Sequence, residues 1–211
     1  MAGISAELES APPPEVIEWA IRRFGRGLTI ACSFQNCVII DMATNIDPDV
    51  EVLFLDTGSH FAETLAYVEK VRCHYELNLK VQMPPPEADG VPCGAEGCCQ
   101  LRKVRPLDAG LAGQRAWMSG LKRVDTAHRA DAPVVLWDPR RRLVKINPLA
   151  TWTDADVDRY IADRALPVHP LIERGYLSIG CAPATRPVLL GGDRRAGRWS
   201  GETKTECGLH L

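Results

Sequence analysis

The stretch LTIACSFQNCVIIDMATNIDPDVEVLFLDTGSHFAETLAYVEKV, residues 28–71, decides the fold. Leu28 to Ala31 and Val50 to Leu55 are short apolar runs of the kind that make strands buried on both faces. Each run ends in a polar turn, Cys32-Ser33-Phe34-Gln35-Asn36 in one case and Asp56-Thr57-Gly58 in the other. Each turn leads into a helical pattern, Val38 to Ala43 and then His60 to Val71, the latter expected to turn Phe61, Leu65 and Val68 to one face. Strand, turn, helix and strand again is the order of a parallel sheet covered by helices. In open sheets of this kind, ligands bind outside the carboxyl ends of the strands, and both turns lie at such ends.

Upstream, Val16, Ile17, Ala20, Ile21 and Phe24 recur at helical spacing over Glu15 to Phe24, and Gly25 and Gly27 stop the helix. Downstream, Ala116 to Gly120 reads as another strand. Pro133 to Trp137 and Arg142 to Ile146 read as a hairpin around Asp138-Pro139-Arg140-Arg141. Thr153-x-x-Asp156 is a capping-box pattern opening a helix that turns Val157, Tyr160 and Ile161 inward. No internal repeat or domain boundary interrupts the chain. The expected organisation is a disordered N-terminus over residues 1–14, a single α/β domain over 15–190 with a twisted, mainly parallel sheet and helices on both faces, and a mobile tail over 191–211.

The 211 residues are 45% hydrophobic and 25% charged, with a formal net charge of −2, so bulk charge gives no reason to expect nucleic acid as a partner. No apolar run approaches the roughly 20 residues that span a bilayer, and the start of the chain lacks the pattern of a secretory signal. A cytoplasmic protein without a membrane partner is the expectation. Structural disulfides are then disfavoured, and the eight cysteines point to metal ligation or thiol chemistry for some of them. Cys32, Cys37 and Cys73 lie in apolar segments and read as buried small hydrophobes.

Four groups of residues carry candidate chemistry. Ser33 and Gln35 in the first turn and Asp56-Thr57-Gly58 in the second can offer donors to a phosphate, or can be ordinary polar caps. Cys98-Cys99, followed by Arg102-Lys103, can reach one polynuclear cluster from a helix or bend, with Cys181 joining from far along the chain. The alternative is two packed cysteines without metal. Cys207, in the run Lys204-Thr205-Glu206-Cys207-Gly208-Leu209-His210, is a thiol flanked by cationic groups, which favour the reactive thiolate. The alternative is an incidental cysteine in a loose tail. Lys122, Arg123, Arg186, Arg194, Arg195 and Arg198 supply forks and point charges that suit phosphate or sulfate oxygens.

Together the stretches LDTGSHFAETL (55–65), CCQLRKVRPL (98–107), WMSGLKRVD (117–125), VKINPLATWTDADV (144–157), GYLSIGCAPATRP (175–187) and KTECGLH (204–210) resemble the assimilatory adenylyl-sulfate reductases, within the wider family of phosphoadenylyl- and adenylyl-sulfate reductases. The resemblance implies an adenine nucleotide alpha hydrolase-like sheet and adenosine 5′-phosphosulfate as substrate. It implies Cys207 as the nucleophile that takes the sulfonyl group, and thioredoxin or a similar dithiol as the partner that releases sulfite. Ser33, Gln35 and Asp56-Thr57-Gly58 fall in the family's nucleotide loops, and Lys122, Arg123, Arg186 and Arg198 fall where it places phosphosulfate-binding groups. The cysteine pair implies a 4Fe-4S cluster on Cys98, Cys99 and Cys181, with Lys103 between cluster and substrate.

One position departs from the pattern. The family reads Cys-x-x-Cys where this chain has Cys181-Ala182-Pro183-Ala184, so the fourth cluster ligand is missing at Ala184. An introduced substitution, a cluster on three cysteines with another ligand, replacement by Cys93, or a labile or absent cluster would each account for it. Rival readings are a phosphoadenylyl-sulfate reductase, an iron–sulfur or redox sensor that keeps the nucleotide pocket, and an adenylating enzyme of the ATP-pyrophosphatase type. The last is opposed by the absence of glycines from the turn at 32–36.

Overall fold

The computed structural model describes residues 2–189, 191–200 and 206–209. Six strands, β1 (Leu28–Ala31), β2 (Glu51–Leu55), β3 (Leu79–Gln82), β4 (Ala116–Ser119), β5 (Val135–Asp138) and β6 (Leu143–Ile146), form one sheet in the order β3-β2-β1-β4-β6-β5. All neighbours are parallel except β5 and β6, which pair as the antiparallel hairpin expected from the sequence. The chain runs outward from β1 to β3, then crosses back to lay β4 on the other side of β1. That reversal opens a crevice at the carboxyl ends of β1 and β4.

Side chains alternate across the sheet with period two. Leu28 and Ile30 of β1, Val52 and Phe54 of β2, and Ala116 and Met118 of β4 enter the larger core. That core is closed by helices α2 (Pro13–Phe24), α3 (Val38–Thr44), α4 (Ala62–Tyr75) and α6 (Asp154–Asp163). Leu53 and Trp117 point the other way, into a smaller cluster with Leu143, Leu107 of helix α5 (Arg105–Gly110) and Leu111. Gly25 ends α2 at φ 52, a left-handed conformation that disfavours other residues there. The Thr153 capping box forms as expected: its hydroxyl accepts from Asp156 N at 3.2 Å, and the Asp156 carboxylate accepts from Thr153 N at 2.9 Å.

Several expectations need correction. The N-terminal residues expected to be disordered form helix α1 (Ala2–Leu8), which packs on β5 and whose Ser5 Oγ accepts from Val135 N at 3.2 Å. Few apolar residues are needed there, because α1 caps an edge already built by the hairpin. Helix α4 buries Thr64, Tyr67, Val68 and Val71, while Leu65 is exposed. Cys73 lies on the exposed side of α4, with its thiol donating to Glu69 Oε1 at 3.3 Å. Strand β3 had no sequence signal: it is an edge strand, and its Leu-Lys-Val-Gln run leaves Val81 half exposed.

The residues beyond 190, expected to move, are packed on the domain where they are described. Trp199 is buried, and its backbone N–H donates to Ala184 O at 3.0 Å. Arg186 N donates to Gly197 O at 2.8 Å, and Leu209 packs against the smaller cluster. Isolated anchors of this kind carry no periodicity, so sequence patterning passes over them.

Candidate active site

The turn after β1 is built on Phe34, a fully buried residue held at φ 54. A left-handed phenylalanine is strained, and burial against Phe54 in an edge-to-face contact keeps it there. The neighbouring Gln35 amide bridges two strands of chain: Nε2 donates to Leu177 O at 3.3 Å and Oε1 accepts from Ile179 N at 3.1 Å. The turn after β1 and the loop at 177–180 are thus fixed against each other. The turn after β2 closes through Asp56 Oδ1, which accepts from Gly58 N at 2.9 Å, with Gly58 at φ 66. Arg102 clamps this turn, donating from Nη1 to Thr57 O at 2.9 Å.

These turns open onto a cleft of about 240 Å³ at the sheet reversal. Its walls include Ala31, Ile39, Leu121 and Leu149 on the apolar side and the loop Leu177 to Gly180 opposite. The lining carries six cationic side chains, Lys103, Lys122, Arg129, Arg194, Arg195 and Arg198, against three carboxylates, Asp125, Asp154 and Asp193. A chain with a small net negative charge therefore gathers positive charge at one place, which favours an anion with an apolar body.

Arg198 lines the wall formed by the loop at 177–180. Its Nη1 donates to Ile179 O at 3.1 Å, its guanidinium stacks on Trp199 at 4.7 Å, and its buried Nε has no partner among the described residues. Gly180 makes room for it: a Cβ there would stand 2.3 Å from Arg198 Nη2. Lys122 is held by Asp125 at 2.6 Å and Asp154 at 3.3 Å. His60, also in the lining, has its pKa lowered by burial, and its Nε2 donates to Leu55 O at 3.0 Å.

Cys207 lines the same cleft. It is carried there by its neighbours. The Glu206 side chain is shielded from solvent and accepts from Arg129 Nε and Nη2, each at 2.7 Å, and from Thr126 Oγ1 at 2.9 Å. Burial opposes ionisation of Glu206, but the Arg129 fork outweighs it and holds the carboxyl below its usual range. Leu209 inserts beside Leu53, Leu107 and Trp117 on the next turn of chain. Arg129 and Arg198 both lie close enough to interact with the Cys207 sulfur. Lys204 and His210, the cations expected to flank it, lie outside the described residues.

A second, much smaller cavity sits behind the cleft. Cys93, Cys98, Cys99 and Cys181 line it together with Ala184. Lys103, Arg198 and Trp199 line both cavities and form a shared wall. Thr57 joins them too, since its Oγ1 lies 3.5 Å from Cys181 Sγ. Among the described residues no three His, Cys, Asp or Glu side chains converge as a single metal ion would require.

The phosphoadenosine phosphosulfate reductase domain matches residues 27–187 of this chain. The chain belongs to this family. Within the reductase family it is similar to proteins named adenosine 5′-phosphosulfate reductase. The protein from Mycobacteroides abscessus is 44% identical, over 98% of this chain and 91% of its own length. That from Streptomyces coelicolor is 42% identical, over 97% and 90%. A solved phosphoadenylyl-sulfate reductase from Candida auris, in a phosphate complex, superposes with a TM-score of 0.73 at 28% identity, covering 88% of this chain and 95% of its own. An FMN adenylyltransferase from Candida glabrata superposes at 0.62 with 12% identity, covering 83% and 64%, which shows the shared adenine nucleotide alpha hydrolase-like fold alone.

Of the residues singled out from the sequence of this reductase-family chain, the cleft gathers Ser33, Gln35, Thr57, Lys103, Lys122, Arg194, Arg195, Arg198 and Cys207. Asp56 and Gly58 shape a turn at its edge. Arg123 does not reach it: the guanidinium pairs with Glu9 and donates from Nε to Ala132 O at 2.9 Å. Arg186 is exposed and caps carbonyls of its own segment, Thr185 O at 3.0 Å and Pro183 O at 3.2 Å. Arg129 was not singled out, and no local pattern marks it, because its partner Glu206 stands 77 residues away. Lys145 was also passed over. It is buried over the Trp117 ring at 4.9 Å, and burial, opposed by Asp138, pushes its pKa down to about 8.

Proposed function

We propose that this chain reduces adenosine 5′-phosphosulfate to sulfite and AMP, with Cys207 as nucleophile and a thioredoxin-type dithiol as electron donor. The observation that carries the reading is the docking of Cys207 into the cation-lined cleft at the sheet reversal. The names and identities of the relatives support it, as does the apolar-walled cleft, which suits an adenylate.

In this reading the Cys207 thiolate attacks the sulfonyl sulfur. The new S–S bond forms as the bond from sulfur to the phosphate oxygen breaks, and AMP leaves with that electron pair. Lys103, Arg198 and Arg129 would offset the charge on the sulfonate and on the leaving phosphate. Gln35 would hold the loop 177–180 against the nucleotide. The enzyme then carries an S-sulfocysteine. A thiolate of the reductant attacks the Cys207 sulfur and expels sulfite, and the second thiol releases Cys207 while the dithiol becomes a disulfide. The dithiol's two electrons account for the fall in sulfur oxidation state. Reduced cysteines and a dithiol donor fit a cytoplasmic setting.

Cys98, Cys99 and Cys181 would hold an iron–sulfur cluster in the small cavity, and the donor chemistry of that cavity fits one. When bound, a thiolate-ligated cluster supplies negative charge behind the cationic wall. Lys103 and Arg198 would position substrate from the other side of that wall.

The test is sulfite release from adenosine 5′-phosphosulfate with reduced thioredoxin, run beside the 3′-phosphorylated nucleotide. Cys207→Ser is expected to abolish release and keep AMP binding. Equal turnover in that variant would end the reading, and faster release from the 3′-phosphorylated nucleotide would reassign the substrate.

A further inference from the structure

We propose that Cys93 supplies the fourth thiolate to a cluster held by Cys98, Cys99 and Cys181, in the place that Ala184 cannot fill. This rests on the cluster reading above and adds a ligand to it. A methyl group has no lone pair to give iron, so position 184 contributes only a wall. The four cysteines nevertheless line one cavity, with Cys93 on the wall that Ala184 shares.

The loop that carries Cys93 is fastened at its base. Arg102, one turn beyond the cysteine pair, donates from Nη2 to Ala88 O at 2.8 Å and to Val91 O at 3.2 Å. The same guanidinium holds Thr57 O, and Thr57 in turn touches Cys181. One side chain thus ties together the three segments that bear the four sulfurs.

Beyond that base the loop is free to adjust. Gly90, Gly94 and Gly97 stand at φ 77, 97 and 75 on either side of Cys93, and a Cβ at Gly90 or Gly97 would meet nothing within 4 Å. That freedom matters, because the cavity as it stands is only about 10 Å³, room for about one water. A four-iron cluster requires the Cys93 loop to move outward, and the glycines bracket the segment that would do so. The opposite wall cannot yield in the same way: Ala184 N donates to Cys181 O at 3.1 Å, and Ala184 O accepts from buried Trp199.

The experiment is anaerobic reconstitution with iron and sulfide. Iron and labile sulfide are counted per chain, and the clusters are examined by Mössbauer and electron paramagnetic resonance spectroscopy. The proteins are the unaltered chain, Cys93→Ser, Ala184→Cys and the double variant, with circular dichroism as the check on folding. The unaltered chain is expected to hold about four irons. Cys93→Ser is expected to drop to a three-iron form or to lose its iron at least tenfold faster, and Ala184→Cys in that background to restore four. Four equally stable irons in Cys93→Ser would overturn the proposal and leave the cluster reading standing. No iron in the unaltered chain with four in Ala184→Cys would overturn it from the other side. No iron in either would overturn both.

Discussion

Replacing Glu206 with alanine removes three accepted hydrogen bonds, two of them from the Arg129 guanidinium at 2.7 Å and one from Thr126 at 2.9 Å. The pair is shielded, with the side chain of Arg129 11% exposed and that of Glu206 6%. Removing one partner of a buried pair costs about 3–5 kcal/mol. Here Arg129 keeps Asp125 at 3.0 Å, so a smaller effect of about 2–3 kcal/mol is expected. It falls on the docking of one segment and not on the whole fold, because that segment joins no strand of the sheet. At tenfold per 1.4 kcal/mol, the ratio of docked to undocked tail drops about 30–150-fold. The assay is alkylation of Cys207 by iodoacetamide, followed by mass spectrometry with the other cysteines as internal reference. Alkylation of Glu206→Ala should speed up within that range, single-turnover S-sulfonation should slow, and the melting temperature should stay where it is. An unchanged alkylation rate would refute the claim that this ion pair holds Cys207 in the cleft.

Other expectations follow from the same geometry. Gly180→Ala would push a methyl to 2.3 Å from Arg198 Nη2 and displace that guanidinium, so KM for the phosphosulfate should rise several-fold with little loss of thermal stability; an unchanged KM would remove Arg198 from the site. Lys103→Ala should weaken binding of adenosine 5′-phosphosulfate more than binding of AMP, as read by calorimetry with both, since AMP lacks the sulfonate. His169 is buried and neutral, its Nδ1 accepting from Leu171 N, and burial lowers its pKa from 6.5 to about 4. The unfolded chain therefore takes up this proton first, and stability is full above about pH 6.5 and falls by roughly 1.4 kcal/mol per unit down to about pH 4. Urea unfolding across that window should show this slope, and His169→Gln should flatten it.

The parts legible in the sequence were those that repeat. Strands β1 and β2 sit in the sheet interior, so burial on both faces makes their residues uniformly apolar, and the polar turns after them stand out by contrast. Strand β3 pairs on one side only and can keep Lys80 and Gln82, which erases the signal. The site was legible in residue type but not in direction. Lys122 and Arg123 are neighbours, and Lys122 is extended at φ −120 and ψ 147, so successive side chains diverge. One reaches the cleft and the other pairs with Glu9 outside it. No spacing rule tells the two apart, and none links Arg129 to Glu206 across 77 residues.

The two cavities share a wall that carries charge. Lys103 and Arg198 face the cleft on one side and the cysteines on the other, and Thr57 touches Cys181 while lining the cleft. Burial lowers the pKa of Arg198, with Arg195 adding to the effect. Cys207 on the cleft side and Cys181 on the other both oppose that shift of Arg198. A negative cluster behind the wall and a phosphosulfate before it would therefore compete for the same two cations. A cluster that is too electron-rich would draw Lys103 and Arg198 away from the substrate. In the proposed reading, the charge of the small cavity would set how firmly the cleft holds its anion, and the identity of the fourth ligand would matter to substrate binding as well as to iron.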